Sequence, residues 1–153
     1  MIIGITGERG VGKTTVLKKV IKELNDVYGI ISERFDGGFY VEDVKTGKKM
    51  VLASEREKIG FKLRKFYFNP EAIKFMERAL QRGGRIMVYD EIGYLELLGY
   101  FDVFKYIKED CVLIVRKDFL DEISKQIPFD VVFEVTVENR DWIWRKILET
   151  LKS

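Results

Sequence analysis

A short apolar strand that runs directly into a glycine-rich loop constrains this chain more than any other feature. Ile2-Ile3-Gly4-Ile5-Thr6 leads into Gly7, Glu8, Arg9, Gly10, Val11, Gly12, Lys13, Thr14 and Thr15, which matches G-x-x-x-x-G-K-[ST] at every fixed position. Glycines at 7, 10 and 12 let the backbone turn with positive φ and approach an anion with no Cβ in the way. Successive N–H groups then form an anion-binding nest, to which the following helix adds its positive end. Lys13 offers a point charge to the outer phosphates, and the Thr14 hydroxyl is a candidate ligand for Mg²⁺. The setting agrees with the motif. Residues 2–6 are an unbroken apolar, β-branched run. After the loop, Val16, Leu17, Val20, Ile21 and Leu24 recur at helical spacing, with Lys18, Lys19, Lys22 and Glu23 on the other face. Strand, loop and helix in this order predict a nucleoside-phosphate site.

A second element complements the first. Arg85-Ile86-Met87-Val88-Tyr89 is an apolar strand ending in Asp90-Glu91. Alone, the two acids could simply be solvated at a strand end. Behind a complete phosphate loop, an aspartate at that position is expected to organise Mg²⁺ together with Thr14. The glutamate one residue later is expected to act on a water aimed at the γ-phosphate. A water-directed carboxylate suits a hydrolase better than a kinase. The stretch Lys117 to Pro128, where a small kinase could place a lid, holds two lysines and no arginine. Guanine-reading switch proteins carry N-K-x-D after a strand such as Cys111–Val115, and here Arg116-Lys117-Asp118-Phe119 stands instead. Loose base selectivity follows as an expectation.

Bulk properties exclude several other classes. The chain has 153 residues, and the expectation is one domain over 1–153. It lacks histidine, which removes histidine general bases and histidine zinc sites. Its one cysteine, Cys111, lies inside an apolar strand and reads as a small buried hydrophobe. No intrachain disulfide can form, which fits a reducing cytoplasmic setting. A net charge of +2 implies no strong polyelectrolyte partner, and no apolar run reaches membrane-spanning length. Nor is a signal peptide expected, because the charged loop begins where an apolar segment would have to lie.

The remaining elements alternate. Residues 28–32 read as a buried strand, followed by a hairpin from 38–44 and 50–52 around the turn Lys45-Thr46-Gly47-Lys48. Over 54–68, Lys58, Lys62, Arg64 and Lys65 interleave with Phe61, Phe66, Tyr67 and Phe68. Such a pattern could bind nucleic acid, but the preferred reading is a strand with one aromatic face buried and a basic face in water. Asn69 as N-cap, Pro70 at N1 and Gly83-Gly84 at the end bracket a helix. Helices are then expected near 100–108, 118–126 and 138–152, the last with Trp142, Ile143, Ile147, Leu148 and Leu151 as its apolar stripe. Strands are expected at 111–115 and 130–136. This alternation predicts an α/β fold of the P-loop NTPase type: a three-layer sandwich, its sheet mostly parallel, with helices on both faces and an inserted β-hairpin.

Three blocks together resemble the THEP1-type P-loop nucleoside-triphosphatases, relatives of the human cancer-related nucleoside-triphosphatase. They are the phosphate loop Gly7–Thr15, the segment Asp90-Glu91-Ile92-Gly93-Tyr94-Leu95-Glu96-Leu97, similar to D-E-I-G-K-M-E-L, and Thr136-Val137-Glu138-Asn139-Arg140, similar to T-x-E-N-R. The resemblance implies Mg²⁺-dependent hydrolysis of ATP, GTP, CTP and UTP or TTP with low base selectivity, and slower action on diphosphates. It implies Lys13 and Glu91 as catalytic groups, Thr14 and Asp90 at the metal, and Gly93 and Arg140 beside the nucleotide. Arg140 could equally be a helix-start residue paired with a carboxylate. Tyr94 stands where the family has lysine, and Arg9 where its loop usually has proline. The alternative is a nucleotide or nucleoside kinase, which would transfer the γ-phosphate to a small acceptor. A nucleic-acid-stimulated ATPase and a nucleotide sensor are further rivals. Nucleoside triphosphates are the expected partners, with no membrane and no nucleic acid, and the protein is expected to be a monomer.

Overall fold

A computed structural model describes residues 1–152. Nine strands form one mixed sheet: β1 (Ile2–Gly7), β2 (Val27–Phe35), β3 (Gly38–Asp43), β4 (Lys49–Ser54), β5 (Phe61–Leu63), β6 (Phe66–Phe68), β7 (Ile86–Ile92), β8 (Cys111–Val115) and β9 (Val131–Val135). Their spatial order is β5-β6-β4-β3-β2-β7-β8-β1-β9. From β2 to β9 every pairing is parallel, and from β2 outward to β5 every pairing is antiparallel. The sheet therefore divides into a parallel half and an antiparallel wing.

The parallel half forms because its strands are apolar on both faces and helices cover both. Within β8, Val112 and Ile114 point to one layer while Cys111, Leu113 and Val115 point to the other, all at 0% exposure. The first layer holds α1 (Lys13–Lys22) and α5 (Ile143–Lys152), which contribute Val16, Leu17 and Val20 and Ile143, Ile147 and Leu148. The second layer holds α2 (Pro70–Gln81), the short α3 (Tyr94–Leu97) and α4 (Leu120–Ser124). The punctuation of α2 is as expected: the Asn69 side chain accepts a hydrogen bond from the Glu71 N–H at 3.1 Å, with Pro70 next. Burial pushes the Cys111 thiol up to about 12, so it stays protonated and packs as a hydrophobe.

The structure corrects three element assignments. Residues 54–68 contain a two-stranded hairpin, β5 and β6, rather than one strand; Arg64 occupies its turn with φ 58°. The aromatic face is buried as expected, with Phe61, Phe66 and Phe68 against the core. No α-helix spans 100–108. Gly99 ends α3 at φ 83°, and Phe101 and Val103 insert into the core with Asp102 exposed between them, an alternation suited to extended chain. A 3₁₀ turn at Phe104–Tyr106 is the only helical turn there. The last helix begins at Ile143, not at 138. Thr136 and Asn139 exchange side-chain bonds with each other's N–H (2.8 and 3.2 Å), holding 136–142 as successive turns. Trp142 consequently lies before α5, 44% exposed, outside the buried stripe. Among the described residues no helix is long and apolar enough to cross a membrane.

Candidate functional site

Parallel strands share one carboxyl end, and the loops leaving β1, β7 and β8 converge there beside Ser32, Glu33 and Arg34 of β2. The loop after β1 wraps towards α1, with Gly12 at φ 102° as the residue before the helix. A side chain at that φ would be strained, which explains glycine at this point. Val11 is turned into the core at 8% exposure, so it anchors the loop, while Glu8, Arg9, Gly10 and Thr15 stay exposed. Lys13 arches back: its Nζ donates to the Gly7 carbonyl at 2.7 Å and to that of Glu8 at 3.5 Å, and lies 3.7 Å from Glu91 Oε2.

Asp90 lies near the carboxyl end of β7 and is 4% exposed. Its Oδ2 accepts from Thr14 Oγ1 at 2.7 Å and from the Ser32 N–H at 3.4 Å, while its backbone carbonyl accepts from Ser32 Oγ at 2.6 Å. Burial raises the Asp90 pKa from 3.8 to about 7, with the Thr14 hydrogen bond opposing the shift and the Glu91 charge adding to it. Glu91 follows across a cis peptide bond, at a point where the β7–β8 register shifts. Its side chain is 36% exposed, so it reaches the cleft that Asp90 borders from below. The structure thus brings together Lys13, Thr14, Asp90 and Glu91. The oxygens of Asp90, Thr14 and Ser32 are the hard donors that Mg²⁺ takes, and a single carboxylate leaves room for phosphate oxygens and water in its shell.

The whole cleft, of about 1420 Å³, runs from the phosphate loop past Glu91 to the wing, where Arg34, Phe39, Arg64 and Phe66 line it. Arg34 stands 4.8 Å over the Phe39 ring and Arg64 4.3 Å over that of Tyr94. Gly93 behaves differently from the loop glycines. Its N–H donates to Glu96 Oε1 at 2.7 Å, and a Cβ there would come within 3.0 Å of Arg116 Cδ. Arg140 lies on the opposite flank, its Cδ 3.7 Å from the place of a Cβ on Gly12, beside Thr15 and Lys19. It forms no ion pair with a carboxylate among the described residues. The segment 117–128 is fastened to the body by Ile123 (0% exposed) and Ile127 (1%), unlike a lid.

Sequence reasoning passed over three neighbours of the site. Ser32 braces Asp90 twice, its N–H donating to the carboxylate and its hydroxyl to the backbone carbonyl, and its sequence signal was a place in the second strand. Glu96 is buried (5% exposed), its carboxyl raised to about 7 by burial while accepting from Tyr89 Oη at 2.5 Å. Its spacing three residues after Gly93 is that of a capping box, which was a usable signal. Arg116 lies one residue ahead of the arginine-free stretch 117–128, and it lines the same cleft as Lys13 and Glu91.

Comparison with known proteins adds independent support. A family model described as NTPase matches residues 2–148. The nucleoside-triphosphatase THEP1 of Thermotoga maritima is 30% identical over 178 aligned positions, covering 99% of this chain and 96% of that protein. The THEP1 of Aquifex aeolicus is 30% identical, with 99% of each chain covered. The crystal structure of THEP1 from Aquifex aeolicus superposes with a TM-score of 0.83 at 26% identity, covering 100% of both chains.

Proposed function

This chain belongs to the THEP1-type NTPase family, and we propose that it hydrolyses nucleoside 5′-triphosphates to diphosphate and phosphate with Mg²⁺ and low base selectivity, acting more slowly on diphosphates. It does so as a monomer of one domain, residues 1–153. The observation that carries the reading is the junction of Thr14 and Asp90 at 2.7 Å, with Lys13 and Glu91 3.7 Å apart beside it. Four groups from the ends of β1 and β7 thereby address one point.

The backbone amides from Gly7 to Thr15 and the N-terminus of α1 bind the phosphate chain, and Arg140 flanks its inner end. Lys13 leaves the Gly7 carbonyl for the outer phosphates. Thr14 and Asp90 would hold Mg²⁺, which when bound neutralises charge on the β- and γ-phosphate oxygens. Gly93 keeps the floor of the cleft open. Glu91 orients a water and accepts one of its protons as the water oxygen bonds to the γ-phosphorus. The bond from that phosphorus to the diphosphate oxygen breaks, and the proton passes to product or solvent. The fastened 117–128 segment offers no closing lid, which favours water over an acceptor alcohol as the nucleophile.

The test is phosphate release from ATP, GTP, CTP and UTP with Mg²⁺ and no acceptor, for the wild type beside Glu91→Gln. Release from several nucleotides is expected, with a loss of about 10²- to 10⁴-fold in the variant and nucleotide binding retained. Tight binding without release, or label passing only to an added nucleoside or nucleotide, would replace this reading with a sensor or a kinase.

A further inference from the structure

The site as described pairs the outer phosphates with one point charge, Lys13, yet a second cation stands close by. Strand β8 is hydrogen-bonded to β1 on one side and β7 on the other. The first residue beyond it, Arg116, therefore emerges between the phosphate loop and the Asp90-Glu91 pair. Its own N–H donates to the Ile92 carbonyl at 3.3 Å, which extends the ladder to this residue and fixes its backbone. Two features set the path of the side chain. Gly93 gives way, because a Cβ there would meet Arg116 Cδ at 3.0 Å. The guanidinium carbon then lies 4.9 Å from the Tyr94 ring centre and 5.0 Å from that of Phe119, whose rings meet edge to face.

In this arrangement the guanidinium is held by Asp118 through two hydrogen bonds of 3.2 and 2.9 Å. The arginine is 32% exposed and the aspartate 55%. An exposed pair of this kind is weak and screened by water. A triphosphate presents more charge and several acceptors in the plane that a guanidinium fork matches. Asp118 thus acts as a removable partner, and the aromatic seat keeps the guanidinium within the cleft when it is released.

We propose that Arg116 is an arginine finger supplied in cis: it leaves Asp118 when nucleoside triphosphate binds and donates to the γ-phosphoryl oxygens as charge builds on them. It makes and breaks no covalent bond; those steps remain with water and Glu91. The proposal rests on the hydrolase reading above and deepens it. Arg64 also stacks on Tyr94, but it belongs to an exposed hairpin turn of the wing rather than to the end of a parallel strand beside the phosphate loop, so this role is not assigned to it.

Arg116→Ala, Arg116→Lys and Asp118→Asn in the full chain test this, with Glu91→Gln as control. The readouts are kcat, the dissociation constant of Mg-ADP, and the added affinity that aluminium fluoride confers on Mg-ADP as a mimic of the transferring phosphoryl group. Arginine fingers are worth about 10³- to 10⁵-fold in turnover, so Arg116→Ala should lower kcat by at least about 100-fold. Its ADP affinity should stay within about threefold, and the aluminium fluoride gain should disappear. Arg116→Lys should restore less than a tenth of the loss, because an ammonium lacks the planar fork. Asp118→Asn should keep or raise turnover, and specific activity should not change when the wild type is diluted 100-fold. Arg116→Ala turning over within threefold of wild type while Glu91→Gln is inactive would overturn the role of Arg116 and leave the hydrolase reading intact. Equal losses in Arg116→Ala and Asp118→Asn would reduce the pair to a structural one, and activity that rises with protein concentration would refute action in cis. A wild type that releases no phosphate would remove both proposals together.

Discussion

The two halves of the sheet are built on different terms. In the parallel half, β1, β7 and β8 lie under helices on both faces, and nearly every side chain is closed off from water. In the wing, β3 to β6 are short, antiparallel and mixed in burial, with aromatic rings inward and Lys62, Arg64 and Lys65 outward. Every group assigned to the chemistry arises where the parallel strands end. The wing supplies a wall to the cleft and no group that addresses the water. A rigid, doubly covered scaffold holds reacting groups to fractions of an ångström, whereas a half-wet sheet is suited to shaping and charging a border.

The largest effect separating the halves should come from cavity formation. Ile5→Ala removes a fully buried side chain from the parallel half and should cost about 2–5 kcal/mol in chemical denaturation. Phe66→Ala removes a partly buried ring and should cost less, about 1–2 kcal/mol on area grounds. Equal costs would mean that the wing is core in the same sense as the parallel half.

Next comes pH. Burial raises Glu96 from 4.5 to about 7, so the folded chain holds this proton more tightly than the unfolded chain does. The associated stability is fully present below about pH 4.5 and is lost as pH rises to 7. Relative to Glu96→Gln, the nucleotide-free wild type should therefore lose stability across that window, by up to about 3 kcal/mol. Thermal melts of both proteins at half-unit pH steps check it. A difference independent of pH would show the Glu96 carboxyl to be unperturbed.

A smaller effect should localise the wing. Asp43, 1% exposed, accepts from Arg82 Nε at 2.6 Å and from the Lys45 and Thr46 N–H groups at 3.0 and 3.3 Å. Asp43→Ala should cost about 1–3 kcal/mol and leave kcat within twofold. A large fall in kcat would tie the wing to catalysis. The least effect belongs to Lys117, whose exposed contacts with Glu8 and Glu134 span 3.2 and 3.1 Å. Lys117→Ala should change stability by less than about 1 kcal/mol, as measured by the shift in melting temperature.

Legibility followed the same division. Strand 111–115 and the start of α2 were readable because burial on both faces leaves a continuous apolar run, and because a cap involves residues only two or three apart. The stretch 100–108 was not, since Phe101 is held by stacking on Tyr89 at 6.0 Å, a contact that helical spacing does not encode. The delayed start of α5 came from a Thr136–Asn139 exchange that competes with helix formation locally. The hairpin at 61–68 was hidden in an aromatic-basic alternation that reads equally well as one strand.

The sequence by itself determined the local chemistry: a loop whose glycines and amides suit phosphate, a lysine and hydroxyl beside it, and two acids at a strand end. Tertiary structure decided which of these groups meet. Thr14 and Asp90 are 76 residues apart, and Arg116 lines the same cleft because β8 lies between β1 and β7. Strand order sets that convergence. Residue patterns report which face of a strand is buried, but not which neighbour lies beside it.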